Sequence, residues 1–168
     1  LYHPWRVVYS NPGNLEQYDQ GLGFADIVKS DISAFNGGIF IQKVMILSRH
    51  NSLVMVRHIG GDQIFSFDTV WHEGTLAGKT FIGYQNFGLY LGKDDVYLFD
   101  GSTARGIAKR RVRDKLFTEL NANQLHFCHA SSYPRYDEYH LWIMRSENKD
   151  VINVSPDQRF PNRAYVYR

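Results

Sequence analysis

Cysteine is almost missing from this chain: Cys128 stands alone among 168 residues. A single thiol excludes an intrachain disulfide, so packing has to hold the fold, and a disulfide-stapled secreted scaffold is excluded with it. Long apolar runs are missing too. None approaches the roughly 20 residues that a membrane-crossing helix needs, so no membrane segment is expected. Nor does one sign of charge dominate, since 19 Lys and Arg stand against 17 Asp and Glu for a net charge of +2. That is too little to imply a nucleic-acid or membrane partner from bulk charge, and only a local cluster can make that case.

What is present is aromatic. Eleven Tyr and eleven Phe lift the aromatic share to 15%, within an ordinary globular balance of 43% hydrophobic and 21% charged residues. Aromatic and β-branched side chains suit pleated, half-buried surfaces, which points to an all-β class. The chain starts at Leu1 and stops at Arg168 inside an expected strand, Ala164 to Tyr167. Both ends are therefore expected to continue in a longer protein, with residues 1–168 forming a single segment.

Turn residues punctuate short β-type runs along the chain. Trp5 to Tyr9 closes on Ser10-Asn11-Pro12-Gly13-Asn14, and Gly23 to Val28 is a weaker strand. Ile32 to Phe35 then leads to Asn36-Gly37-Gly38, a hairpin signal, and on to a long strand from Ile39 to Leu47. After Arg49-His50-Asn51-Ser52 come Leu53 to Ile59, the turn Gly60-Gly61-Asp62, and Gln63 to Trp71. In that last strand Phe65, Phe67, Thr69 and Trp71 share one face, which is expected to be buried.

The pattern recurs. Thr80 to Tyr84, Gly88 to Leu91, Val96 to Phe99 and Ala104 to Ile107 make a second set of four strands. Leu125 to Ala130, Tyr139 to Met144 and Ala164 to Tyr167 begin a third, whose fourth strand is expected beyond Arg168. First strands near Ile32, Thr80 and Leu125 lie 45 to 48 residues apart. Four strands per period of about 40 to 50 residues is the signature of β-propeller blades. The expectation is thus a partial propeller with blades over 31–71 and 79–107 and an incomplete one over 125–168. One short α-helix interrupts it: residues 109–120 hold no Gly or Pro, and Val112, Leu116, Phe117 and Leu120 form a narrow apolar stripe. Residues 145–163 read as a polar loop.

The ordered set of phrases resembles the β-propeller proteins of bacteriophage tails. Those phrases are Arg6-Val7-Val8-Tyr9-Ser10-Asn11-Pro12-Gly13-Asn14, Gly60-Gly61-Asp62 with Phe65-Ser66-Phe67, Leu89-Tyr90-Leu91-Gly92 with Val96-Tyr97-Leu98-Phe99-Asp100-Gly101-Ser102, and Pro161 to Tyr167. Departures are the long Ile39–Leu47 strand and the end of the chain where the family continues with a polar turn and Trp. The resemblance implies a structural virion protein of the nozzle or tail-hub type, assembled in the host cytoplasm. It would form a homo-oligomeric ring around the DNA channel, with adaptor proteins as neighbours.

Candidate chemistry fails on spacing. Gly78-Lys79-Thr80 matches the end of a phosphate-binding loop, but position 73 is Glu where the motif needs Gly, and a strand rather than a helix is expected next. On a strand His126 and Cys128 would share a face and His129 the other, so the three do not converge on a metal. Cys128 sits inside an apolar strand with no turn to present it as a nucleophile. No paired acids appear, and no enzyme activity, metal or cofactor is expected. The sharpest feature is basic: Arg105, Lys109, Arg110, Arg111, Arg113 and Lys115 fall within eleven residues, opposed only by Asp114. They read as a contact to acidic neighbouring subunits or transiently to DNA phosphates, or else as a solvated helix face. A competing function is a carbohydrate- or receptor-binding module that stacks sugars on Tyr133, Tyr136 and Trp142.

Overall fold

The computed structural model describes residues 3–10, 23–27, 31–60, 64–145 and 161–168. The expected turns over residues 11–14 and 61–62, and most of the expected loop at 145–163, lie outside the described residues. The chain is mostly β, arranged as antiparallel sheets in strict chain order. Strands β1 (Arg6–Tyr9) and β2 (Gly23–Asp26) pair first. Then follow two four-stranded meanders, β3 (Phe35–Ile41), β4 (Val44–Arg49), β5 (Leu53–His58) and β6 (Phe65–Trp71), then β7 (Ile82–Tyr84), β8 (Phe87–Leu91), β9 (Val96–Phe99) and β10 (Ala104–Gly106). Helix α1 (Arg110–Glu119) precedes a three-stranded sheet of β11 (His129–Tyr133), β12 (Glu138–Ile143) and β13 (Arg163–Tyr167).

The sheets stack face to face, and alternation explains how. Along β5, Leu53 and Met55 enter one apolar cluster while Val54 and Val56 enter another. The second of these clusters joins β5 to Val7, Ala25 and Ile27 of the first sheet; the other joins it to Phe81, Tyr90 and Phe99 of the third. On β8, Leu89 and Leu91 turn the other way, toward Tyr139, Leu141 and Ile143 of β12. Both middle sheets are thus covered on both faces, so their central strands read as unbroken apolar runs. The first strands of successive sheets also touch, β3 with β7 and β7 with β11. These strands begin at Phe35, Ile82 and His129, so that 47 residues separate each start from the next.

Three local expectations are corrected. Asn36-Gly37-Gly38 lies inside β3, and the hairpin turn is Gln42-Lys43, both at positive φ (47° and 70°). The glycine there serves a close approach: a Cβ on Gly37 would lie 2.7 Å from the carbonyl oxygen of Gly78. Second, Ala122–Phe127 is a 3-10 segment, and the strand expected from Leu125 begins at His129. Third, the aromatic face of β6 holds only through Phe67. Leu53 opposes Trp71 and Val54 opposes Thr69, a bulge that turns Trp71 to join Val70 in the cluster on the other side of the sheet.

Candidate functional site

The basic segment begins on β10, where Arg105 is exposed, and continues through Lys109 and Arg110 to Lys115 on α1. The helix is held by its apolar stripe. Leu116 is 1% exposed and packs with Tyr139, Leu141 and Ile143, flanked by half-buried Phe117 and Leu120. Its entry is fixed by Asp95, whose Oδ1 accepts from the backbone N–H of Val96 at 2.7 Å and of Ala108 at 3.1 Å. Its exit is tied to the end of β12, with Asn121 N–H donating to Met144 O at 2.9 Å.

Cations differ in what they do on this scaffold. Arg113 is half-buried and turns to Asp95 (3.7 Å) and Asp114 (3.8 Å). Arg110 approaches Asp114 at 3.9 Å, and Lys115 approaches Glu119 at 4.0 Å, both across one helical turn. The first pair is exposed on both sides and stabilises little. Arg105, Lys109 and Arg111 are exposed and have no ion pair or side-chain hydrogen bond among the described residues. The first turn of α1 holds no acid and the N-cap Lys109 makes no capping bond. Cations therefore crowd the positive end of the helix dipole, where they oppose stability. A helix face arranged for stability alone would carry the opposite charges there.

A second feature could not be read from the strand pattern. Glu119 gathers three partners: the Tyr165 hydroxyl donates to it at 3.0 Å, Lys115 pairs with it, and Arg163 Nε lies 3.2 Å away as an ion pair too far out of line for a hydrogen bond. Burial and that carboxylate push the Tyr165 phenol up to about 12. Beside this junction runs a groove of about 300 Å³ lined by β9, α1, β12 and β13. Its members come from four elements distant in sequence, so no local motif announces it.

The other titratable groups are engaged structurally. Cys128 is fully buried, and burial pushes its thiol up, away from the thiolate that nucleophilic or metal chemistry needs. Among the described residues no three of His, Cys, Asp and Glu gather closely enough to hold a metal ion. Thr80, after Gly78-Lys79, donates to Ala77 O at 2.6 Å and accepts from Leu91 N–H at 3.1 Å, and β7 follows it. A cleft of about 520 Å³ alongside holds Asn36, Lys79, Asn123 and His126. His140 and then Arg168 hold Glu138 below the usual carboxylate range, His140 Nε2 at 2.7 Å and Arg168 Nε at 2.6 Å. Of the three aromatics named as sugar platforms, Tyr133 and Tyr136 are exposed, and Trp142 is half-buried with His129 stacked on it. No described helix is long and apolar enough to cross a membrane. No protein-family model matches the chain, and no curated protein sequence matches it either.

Proposed function

We propose that this chain is a run of propeller-type blades from a bacteriophage tail protein of the nozzle or hub type. Its work is to build a ring around the DNA channel and to dock neighbouring tail subunits, with no catalytic step. The observation that carries the reading is the repeat: antiparallel sheets stacked in chain order, their first strands 47 residues apart (Phe35, Ile82, His129) and in contact with one another. A thin sheet with two apolar faces cannot stand alone, so stacking is its means of stability. The exposed basic segment, with Arg105, Lys109 and Arg111 uncommitted, supplies the docking contact. Acidic subunits are the preferred partner, since DNA in a channel has to slide and a tight grip would stall it. The protein would be part of the virion, assembled in the host cytoplasm.

Cryo-electron microscopy of particles carrying the tagged full-length protein tests this. The expected result is density for stacked four-stranded sheets in a symmetric ring around the channel. Absence of the tag from purified particles would defeat the proposal.

The second reading, a carbohydrate- or receptor-binding module, draws on Tyr136 and Tyr133, which are 64% and 43% exposed around the Pro134–Tyr136 turn. Aromatic faces stack on sugars, and polar groups stand beside these two: Glu138 is the cross-strand neighbour of Tyr133, and Gln85 Nε2 donates to Asp137 Oδ1 at 3.2 Å next to Tyr136. Specific glycan-array signal that is lost in Tyr136→Ala would move the function to this reading.

A further inference from the structure

We propose that the cleft of about 520 Å³ where the lead-ins to β7 and β11 meet β3 binds a small phosphate ester. The phosphate group meets Lys79, His126 and Asn123, and the apolar body of the ester lies along Leu76 and Leu125. The inference stands on the cleft alone and does not depend on a phage-tail role.

The repeat brings the two basic side chains to one place. Lys79 stands three residues before β7, in the 3-10 turn Gly78–Thr80, and His126 stands three residues before β11, in the 3-10 segment Ala122–Phe127. Equivalent positions of successive repeats thus open on a single cleft. In the preceding sheet the matching position, three residues before β3, is Ile32, which is 71% exposed. The repeat itself therefore demands no basic residue there. Thr80 is turned inward, to Ala77 O and Leu91 N–H, while Lys79 beside it is exposed.

The polar lining offers donors, and no Asp or Glu belongs to it. Among the described residues Lys79 has no ion pair or side-chain hydrogen bond, and neither has the Asn123 amide group. His126 has only Phe127 beside it, ring centroid to ring centroid at 4.0 Å. Asn36 Oδ1 is taken by the hydroxyls of Ser48 and Thr75, and Nδ2 gives one hydrogen to Thr75 O, so what Asn36 has left for the cleft is a donor too. An ammonium among further N–H donors suits a phosphate, whose oxygens accept from several of them at once. Leu76 and Leu125 make an apolar wall and pack against the core. A volume of about 520 Å³ is more than a bare phosphate fills. It falls among pockets for small organic ligands, which run from roughly 300 to 1,000 Å³.

Phenyl phosphate is the probe, titrated into the whole chain while backbone amide chemical shifts are followed by NMR. Saturable shifts are expected at residues 77–79 and 122–126. Inorganic phosphate should bind at least about tenfold more weakly, because it leaves the apolar wall uncovered. Benzoate, with fewer acceptor oxygens, should also bind more weakly than the probe. Lys79→Met breaks no side-chain contact described here, so it should keep the parent Tm yet weaken binding at least about tenfold by removing a charged donor. Arg57→Met, at an exposed cation on β5, should bind as the parent does. No saturable shift at these residues would overturn the proposal, as would binding that Lys79→Met leaves intact. Inorganic phosphate or benzoate binding as tightly as the probe would overturn the ligand assignment. A single-stranded oligonucleotide that displaces the probe at a lower concentration would make nucleic acid the source of the phosphate and overturn the small-ester reading.

Discussion

Gly37 and Gly78 meet backbone to backbone where the second sheet joins the third. A Cβ on Gly78 would lie 1.8 Å from the carbonyl oxygen of Asn36, and one on Gly37 would lie 2.7 Å from the carbonyl oxygen of Gly78. Next to this contact, Asn36 Oδ1 accepts from the hydroxyls of Ser48 (2.7 Å) and Thr75 (2.8 Å), both fully buried. The two sheets are therefore locked at their first strands by main chain and a small polar network, with no room for a side chain.

Gly78→Ala should cost about 3 kcal/mol, because the obstacle is backbone that cannot swing aside. Gly37→Ala should cost less, since its contact is longer. Urea unfolding of both variants checks the order. Equal, small losses would mean that the first strands are not locked there.

These glycines also show where the sequence was legible and where it was not. Alternation and spacing exposed the β class, the second four-stranded set and the helix, because each rests on local periodicity, whereas in the first set the expected Ile39–Leu47 strand runs across the turn at Gln42-Lys43. Asn36-Gly37-Gly38 looks like a hairpin turn for the same local reason, yet Gly37 answers a contact some 40 residues away. The true turn, Gln42-Lys43, carries neither Gly nor Asn and so sends no signal. The basic cluster was legible as charge, but its position on the wrong end of a helix dipole needed the helix limits. The groove, joining α1, β9, β12 and β13, was not legible at all.

The Gln42-Lys43 turn makes its own prediction. Both residues are left-handed, which costs a non-glycine residue about 1 kcal/mol, and a two-residue turn of this kind favours Asn-Gly. The double variant Gln42→Asn, Lys43→Gly should raise stability by about 1 kcal/mol and shift the urea midpoint upward. A lower midpoint would mean that Lys43 makes a contact the turn depends on.

Arg49 is 1% exposed and donates its guanidinium to the carbonyl oxygens of Ile27 and Asp31, lying 4.3 Å over the ring of Phe35. Burial pulls its pKa down and the Asp31 charge opposes that. Burial alone would raise Asp31, but bonds from Ser33 and Ser52, with Arg49 nearby, outweigh it and leave it lowered. Arg49→Met keeps much of the volume but orphans two carbonyls and removes the cation near the Asp31 charge, so a loss of about 3 to 5 kcal/mol is expected. Calorimetry reads this directly. A loss under about 1 kcal/mol would show that the segment before β3 is held by its apolar contacts instead.

Asp100 governs an acid limb. Its Oδ1 accepts from the N–H groups of Thr103 (2.8 Å) and Ser102 (2.9 Å), which lower its pKa to about 2. A lowered folded-state pKa gives stability that is complete above the unfolded carboxylate range near 4 and is lost as pH falls through about 2. Asp100→Ala should therefore be less stable than the parent at pH 6, and the gap should close between pH 4 and 2. A gap that is constant with pH would assign the loss to the turn geometry alone.

The cations at the start of α1 allow stability and binding to be separated. Lys109 occupies the N-cap without a capping bond, and Arg111 stands in the first turn, with no acid near either in that turn. Lys109→Asp would place an acceptor where the first helical N–H groups need one, and Arg111→Glu would reverse an unfavourable dipole interaction. Together they should stabilise the chain by about 1 to 2 kcal/mol. If the segment is a docking surface for anions, the same double variant should lose retention on a polyanion column and binding to acidic tail subunits. Gain of stability with loss of binding is the joint outcome expected of residues kept for contact. A double variant that is more stable and binds as before would identify these charges as a solvated face and remove α1 from the docking surface.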